Sequence, residues 1–126
     1  MIRALALILA ATPALAEPMD GPAFDTYVTG KTLSFNLPDG TTFGVEQYLP
    51  DRRVIWSATP GECLHGVWFD TPSSICFRYE NDETPRCWAV TRTDTGLRAD
   101  SPGGTTLFEA TESDKPLACP GPDLLS

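Results

Sequence analysis

Past its first twenty residues, the chain alternates between short apolar runs and turn signals, and the period of the apolar positions changes once. Between Gly21-Pro22 and Gly30, the apolar residues Ala23, Phe24, Tyr27 and Val28 fall at helical spacing. Pro in the first turn and Gly just beyond the last residue complete the signature of one short helix of two turns. Such a helix is too short to be stable alone and must dock on something.

After Gly30 the period becomes two. Leu33, Phe35 and Leu37 alternate with Thr32, Ser34 and Asn36, the pattern of a half-buried strand, and Pro38-Asp39-Gly40 supplies a turn. A second strand carries Phe43 and Val45 and reaches Tyr48-Leu49, and a third covers Arg53 to Ser57. A fourth is expected over Gly66 to Asp70, a fifth over Ile75 to Glu80 and a sixth over Arg86 to Arg92. Leu97 to Asp100 and Thr105 to Thr111 follow, each introduced by a Gly-containing turn. Turns this close together force neighbouring strands antiparallel. The expected fold is all-β: a meander of about seven or eight short strands, forming a small barrel or curled sheet behind one N-terminal helix.

Residues 1–16 read differently. Arg3 precedes an apolar run from Ala4 to Thr12, and Ala14-Leu15-Ala16 gives a small-x-small cleavage pattern. Pro13 interrupts the run before it reaches the length of about 20 residues that a membrane span needs. The expectation is a signal peptide cut after Ala16, leaving a single domain over residues 17–126, periplasmic or secreted, with no stable membrane anchor. Without Arg3 the acidic balance deepens from −8 to −9, with 8 basic against 17 acidic residues. That charge argues against nucleic acid as a partner, because phosphate binding needs a basic patch.

Export gives the four cysteines, Cys63, Cys76, Cys87 and Cys119, a reading as disulfides. No close C-x-x-C pair suggests structural zinc. If Ile75, Phe77 and Tyr79 share one face of the fifth strand, Cys76 lies on the other. Likewise, Cys87 lies opposite the face of Trp88 and Val90. A two-residue turn at Asn81-Asp82 sets Glu80 opposite Glu83, Phe77 opposite Arg86 and Cys76 opposite Cys87, within disulfide reach. This favours Cys76–Cys87, with Cys63–Cys119 by elimination. The other two connectivities stay open at this level.

Candidate chemistry is sparse. The single histidine, His65, reads as a turn residue unless Cys63 beside it is a free thiol. Asp94-Thr95-Gly96 matches the tripeptide of dimeric aspartic proteases, which makes a carboxylate hydrolase the alternative function, but D-x-G is also a common turn. Glu80-Asn81-Asp82-Glu83 lacks the ligand alternation of a calcium loop, and neither a phosphate loop nor a dinucleotide fingerprint occurs. No metal or cofactor is expected. What remains is a mixture of polar and aromatic residues, Glu46, Gln47, Tyr48, Arg53, Trp56, Arg78, Tyr79 and Trp88. Of these, Glu46, Tyr48, Arg53 and Tyr79 are the candidates to line a barrel mouth that holds a ligand. The expected function is therefore a non-enzymatic binding or interaction module, its partner a protein or a small molecule.

These residues also carry a resemblance. Phe24-x-x-Tyr27-Val28-x-Gly30-x-Thr32-Leu33-x-Phe35, Gly44-x-Glu46-Gln47-Tyr48-Leu49-Pro50 and Arg52-Arg53-Val54-x-Trp56 open the pattern. Cys63-x-x-Gly66-x-Trp68, Ile75-Cys76-Phe77-x-Tyr79-Glu80 and Cys87-Trp88 continue it, and Pro102-Gly103-Gly104-Thr105 and Cys119-Pro120-Gly121-Pro122 end it. The chain resembles a family of small secreted alphaproteobacterial proteins of unknown function. The resemblance implies an exported β-rich domain and brings no activity or site residue with it.

Overall fold

A computed structural model describes residues 2–9, 17–59 and 61–119. The expected cleavage point after Ala16 and the tail beyond Cys119 lie outside the described residues. Helix α1 (Gly21–Val28) is followed by eight strands: β1 (Thr32–Asn36), β2 (Thr42–Tyr48), β3 (Arg53–Ser57), β4 (Leu64–Asp70), β5 (Ile75–Tyr79), β6 (Asp82–Thr93), β7 (Gly96–Asp100) and β8 (Thr106–Ser113). Each strand pairs antiparallel with the next, and β1 also pairs with β8, so the meander closes into a barrel. Of the two sheet forms expected, closure is the one adopted.

Alternation along the strands fills the interior. Leu33 and Phe35 of β1, Val54 of β3, Ile75 and Phe77 of β5, Leu97 and Ala99 of β7 and Leu107 of β8 are all buried in one core cluster. The helix stops one end of the barrel. Asp20 caps it by accepting a hydrogen bond from the Ala23 backbone N–H at 2.8 Å. Phe24, only 1% exposed, makes edge-to-face contacts with Tyr48, Trp68 and Phe77 at centroid distances of 5.7, 5.0 and 6.3 Å. Val28, also fully buried, lies one turn further along the same helix face.

The same end carries a strained turn. Asp51 and Arg52, between β2 and β3, both have positive φ (63° and 59°). In the three-residue connection Pro50–Arg52 this left-handed geometry falls on two residues that carry side chains, which adopt it at a cost. Arg52 is held there from three directions. Its guanidinium lies 4.2 Å over the Trp68 ring, it donates to Asp70 at 2.8 Å, and its carbonyl accepts from the Trp68 N–H at 2.8 Å.

Both disulfides are present, Cys76–Cys87 with Cα atoms 4.0 Å apart and Cys63–Cys119 at 5.8 Å. Cys76 and Cys87 face each other in register, and Phe77 faces Arg86, as the hairpin argument requires. The tip of that hairpin differs from expectation. Tyr79 pairs with Asp82, so the turn residues are Glu80 and Asn81, and Glu80 does not oppose Glu83. An irregularity between Tyr79 and Phe77, beside Pro85 of β6, restores the register before the cysteines. Pro85 has no N–H to give to the ladder, which suits it to that position.

The second disulfide ties down a strap. After β8 ends near the helix-capped end, the tail crosses the outer wall. The Lys115 carbonyl accepts from the Thr32 hydroxyl (2.7 Å), the Leu117 N–H donates to Gln47 (3.2 Å), and Cys119 is bonded to Cys63 beyond β3. On the loop-entropy view the two bridges contribute about 3 and about 4 kcal/mol respectively.

Replacing Phe24 by Ala should cost about 3–5 kcal/mol, because it empties the contact between the helix and three rings. A drop in thermal midpoint by differential scanning calorimetry, with the eight-stranded circular dichroism spectrum retained at low temperature, is the expected result. Peptide mapping without reduction should recover one linked pair joining Cys76 to Cys87 and another joining Cys63 to Cys119.

Candidate functional site

Strand direction assigns the two ends. The helix and the β2–β3 turn close one; the β1–β2, β3–β4, β5–β6 and β7–β8 connections surround the other. Between them lies a cavity of about 700 Å³. Its floor includes Phe24, Val90 and Leu97, its walls Phe35, Phe43, Trp56, Phe77 and Trp88, and its rim Ala58, Asn81, Pro85, Pro102 and Thr105. A concave, mainly apolar space of this size matches the range of small-molecule sites.

Two local features make the room. Gly44 carries no side chain where the Trp56 ring crosses β2: a Cβ there would collide with the ring atoms Cζ2 and Cη2. Gly66, paired with Tyr79, leaves the same kind of space, since its Cβ would stand 2.7 Å from Tyr79 Cδ1. Bulky residues at either position would push these aromatic walls out of place.

Into this wall β2 inserts one carboxyl. Its burial pattern places Gly44, Glu46 and Tyr48 inward, with Phe43 and Val45 half-buried. Phe43 and Val45, the apolar positions of this strand by sequence, are therefore not its most buried ones. A register shift next to Phe35, which pairs with Gly44 while Asn36 pairs with Thr42, leaves Phe43 as an extra residue without a partner and bends the strand there. Phe43 then joins the cavity through its own contacts with Trp56 (5.7 Å) and Trp88 (6.4 Å).

Glu46 is 2% exposed. Its neighbours in register are Leu33 and Trp56, and its polar partner is the Tyr79 hydroxyl, which donates to the carboxyl with 2.9 and 3.0 Å to its two oxygens. Burial pushes the carboxyl well above its ordinary range, and the Tyr79 hydrogen bond pulls weakly the other way. The Tyr79 phenol is raised in turn, first by burial and then by the nearby Glu46 and Tyr48. Tyr48, also fully buried, has its phenol raised by burial and by Glu46 and Glu109, with no hydrogen bond to either carboxylate.

A second polar group sits under the first, at the helix. The Tyr27 hydroxyl donates to Glu109 of β8, at 2.9 and 3.1 Å from the two oxygens. Lys31 and Arg92 lie over its ring at 4.1 and 4.6 Å. Burial and the Glu109 bond raise the Tyr27 phenol to about 12. This group fastens the helix to the wall rather than lining the cavity. Glu109 and Tyr27 stand 82 residues apart, so no local pattern could have paired them.

Of the four residues singled out from sequence, the structure brings together Glu46, Tyr48 and Tyr79. Arg53 is elsewhere: it is exposed on the outer side, its Nε donating to the Pro50 carbonyl at 3.2 Å. Gln47 points outward to the tail, and Arg78 lies outside over Phe69 at 5.5 Å. Trp56 and Trp88 line the cavity, whereas Trp68 is fully buried near the helix. Asp94 lies at the exposed tip of the β6–β7 hairpin, where Thr93 pairs with Gly96, so the D-T-G triplet is a turn. His65 belongs to strand β4 rather than to a turn and is exposed; Cys63 beside it is disulfide-bonded and no free thiol exists among the described residues. No cluster able to hold a metal ion occurs among the described residues.

No protein-family model, curated protein or solved structure matches the chain.

Glu46 should make stability depend on pH. Its folded-state affinity for the proton is raised, so its contribution is fully present below the ordinary Glu value of 4.5 and is lost as pH rises through the folded value. Chemical denaturation from pH 4 upward should therefore show Glu46→Gln gaining stability relative to the wild type as pH rises. Tyr79→Phe removes the bond that favours the charged form, and carboxyl infrared difference spectra should show Glu46 keeping its proton to still higher pH.

Proposed function

We propose that the protein is an exported, non-enzymatic binding module that holds one small, largely apolar molecule inside its barrel. The observation that carries this reading is the cavity of about 700 Å³, walled by aromatic rings and holding one inward carboxyl with its tyrosine. A barrel filled only for stability would close this volume with side chains, since interiors pack to crystal-like density. Here the Trp56 and Tyr79 rings lie close over the backbone at Gly44 and Gly66. A hydrolase built on Asp94 has no such support, because Asp94 faces no cavity.

Several features support export. Two disulfides suit an oxidising compartment. Among the described residues no helix is long and apolar enough to cross a membrane. Ile2, Leu5, Leu7, Ile8 and Leu9 are at least 81% exposed and take no part in the core. Together with the resemblance to small secreted alphaproteobacterial proteins, these support a signal peptide removed after Ala16 and a periplasmic site of action. The acidic surface offers nothing to nucleic acid.

The neutral fluorophore N-phenylnaphthylamine tests the binding reading. Saturable one-to-one binding with energy transfer from the cavity tryptophans is expected, and Ala99→Phe, which places a ring in the cavity, should abolish it without unfolding the barrel. Signal rising linearly with probe, or binding unchanged by Ala99→Phe, would contradict it. N-terminal sequencing of protein recovered from the periplasm should begin at Glu17.

A further inference from the structure

Resting on the binding reading above, the identity of the ligand's polar group follows from what Glu46 lacks. The described ion pairs are Lys31–Glu112, Arg52–Asp70, Arg86–Asp82 and Arg98–Asp100, and none includes Glu46. Arg86, which lines the same cavity, is turned toward Asp82 at 3.6 Å, with its side chain 67% exposed. The Glu46 carboxyl holds the Tyr79 hydroxyl and acts on the Tyr48 phenol, and its cross-strand neighbours are Leu33 and Trp56. A carboxyl removed from water is costly as an ion unless a counter-charge accompanies it. Arg86, the cation in the wall, acts on the Tyr79 phenol and pairs with Asp82, and it makes no ion pair with Glu46.

The aromatic rings beside it suit a cation. Trp56 is the cross-strand neighbour of Glu46, Phe43 packs on Trp56, and Trp88 packs on Phe43. Ring faces attract ammonium groups, and Trp does so most strongly. We propose that the cavity selects molecules bearing a protonated amine on an aromatic or otherwise apolar body, with the ammonium seated on Glu46 and flanked by Trp56, Phe43 and Trp88.

The proton balance is defined. The free protein holds Glu46 as the carboxylic acid with Tyr79 donating to it. When an ammonium arrives, the Glu46 O–H bond breaks, the proton passes to solvent, and the carboxylate pairs with the ammonium while keeping the Tyr79 hydrogen bond. The excess negative charge of the chain adds a weak, salt-sensitive attraction for cations at the mouth.

Three probes with one body separate these statements: pyrenemethylamine, pyrenemethanol and pyrenecarboxylic acid, titrated by fluorescence at neutral pH and moderate salt. The amine should bind about tenfold tighter than the alcohol, the scale of one charge-assisted hydrogen bond, and the acid weakest. Calorimetry in two buffers of different ionisation enthalpy should show proton release with the amine and none with the alcohol. Glu46→Gln keeps a partner for Tyr79 and should lose the amine preference and the proton release, with a circular dichroism spectrum and cooperative thermal unfolding reporting that it is folded. Equal affinity for all three probes, tighter binding of the acid, or an amine preference that survives Glu46→Gln would overturn the amine assignment and leave the apolar-cavity reading standing. Failure of all three probes to bind would overturn both.

Discussion

Hydrogen bonding between β1 and β8 is the constraint from which the remaining structure follows. It removes the two free edges that an open meander of this length would expose, and it defines an inside. Once inside and outside exist, alternation along each strand sorts every side chain, and the helix has an opening to stop. Phe24 fits that opening because Tyr48, Trp68 and Phe77 converge there from three strands. The Tyr27–Glu109 bond then fixes the helix to β8, the same strand that closes the ring.

Closure also explains the chemistry of the cavity. In an open sheet Glu46 would face water and behave as an ordinary surface acid. In the barrel it is surrounded by Leu33, Trp56 and Tyr79, and its carboxyl is held far from its usual behaviour by burial. The two glycines are part of the same arrangement, because each leaves room for a large ring, Trp56 or Tyr79, to lie against the backbone. An interior with a polar group at mid-depth and space beside it is a receptor surface turned inward.

Much of this was legible in the chain. The number and order of strands, the helix and the Cys76–Cys87 partnership follow from period, turn residues and face arguments, which are local. The β5–β6 hairpin shows the limit. The face argument sets the cysteines opposite each other even though the turn falls one residue earlier than Asn81-Asp82, because an irregularity near Pro85 compensates. In β2 the apolar residues Phe43 and Val45 are only half-buried, while Glu46 and Tyr48, the two wall candidates of that strand, do point inward. Tyr79 and Glu46 could be named as polar–aromatic candidates but not joined, since their meeting depends on curvature across three strand pairs. Arg53 was placed with them on composition alone, and it lies on the outer side because Val54 takes the inward position. The Tyr27–Glu109 contact had no local signal at all.

The seam between β1 and β8 has a temporal meaning as well. Thr32 pairs with Ser113, so the first strand has no second neighbour until nearly the whole chain has been delivered. The helix waits too, because the opening it stops does not exist earlier. Only the hairpins are local enough to form early, and the one locked by Cys76 and Cys87 spans just 11 positions. High sequence separation of the closing contact makes ring formation the slow, entropy-limited step. The hairpins are the ready-made parts of the ring, and β8 is the piece without which none of them has an inside.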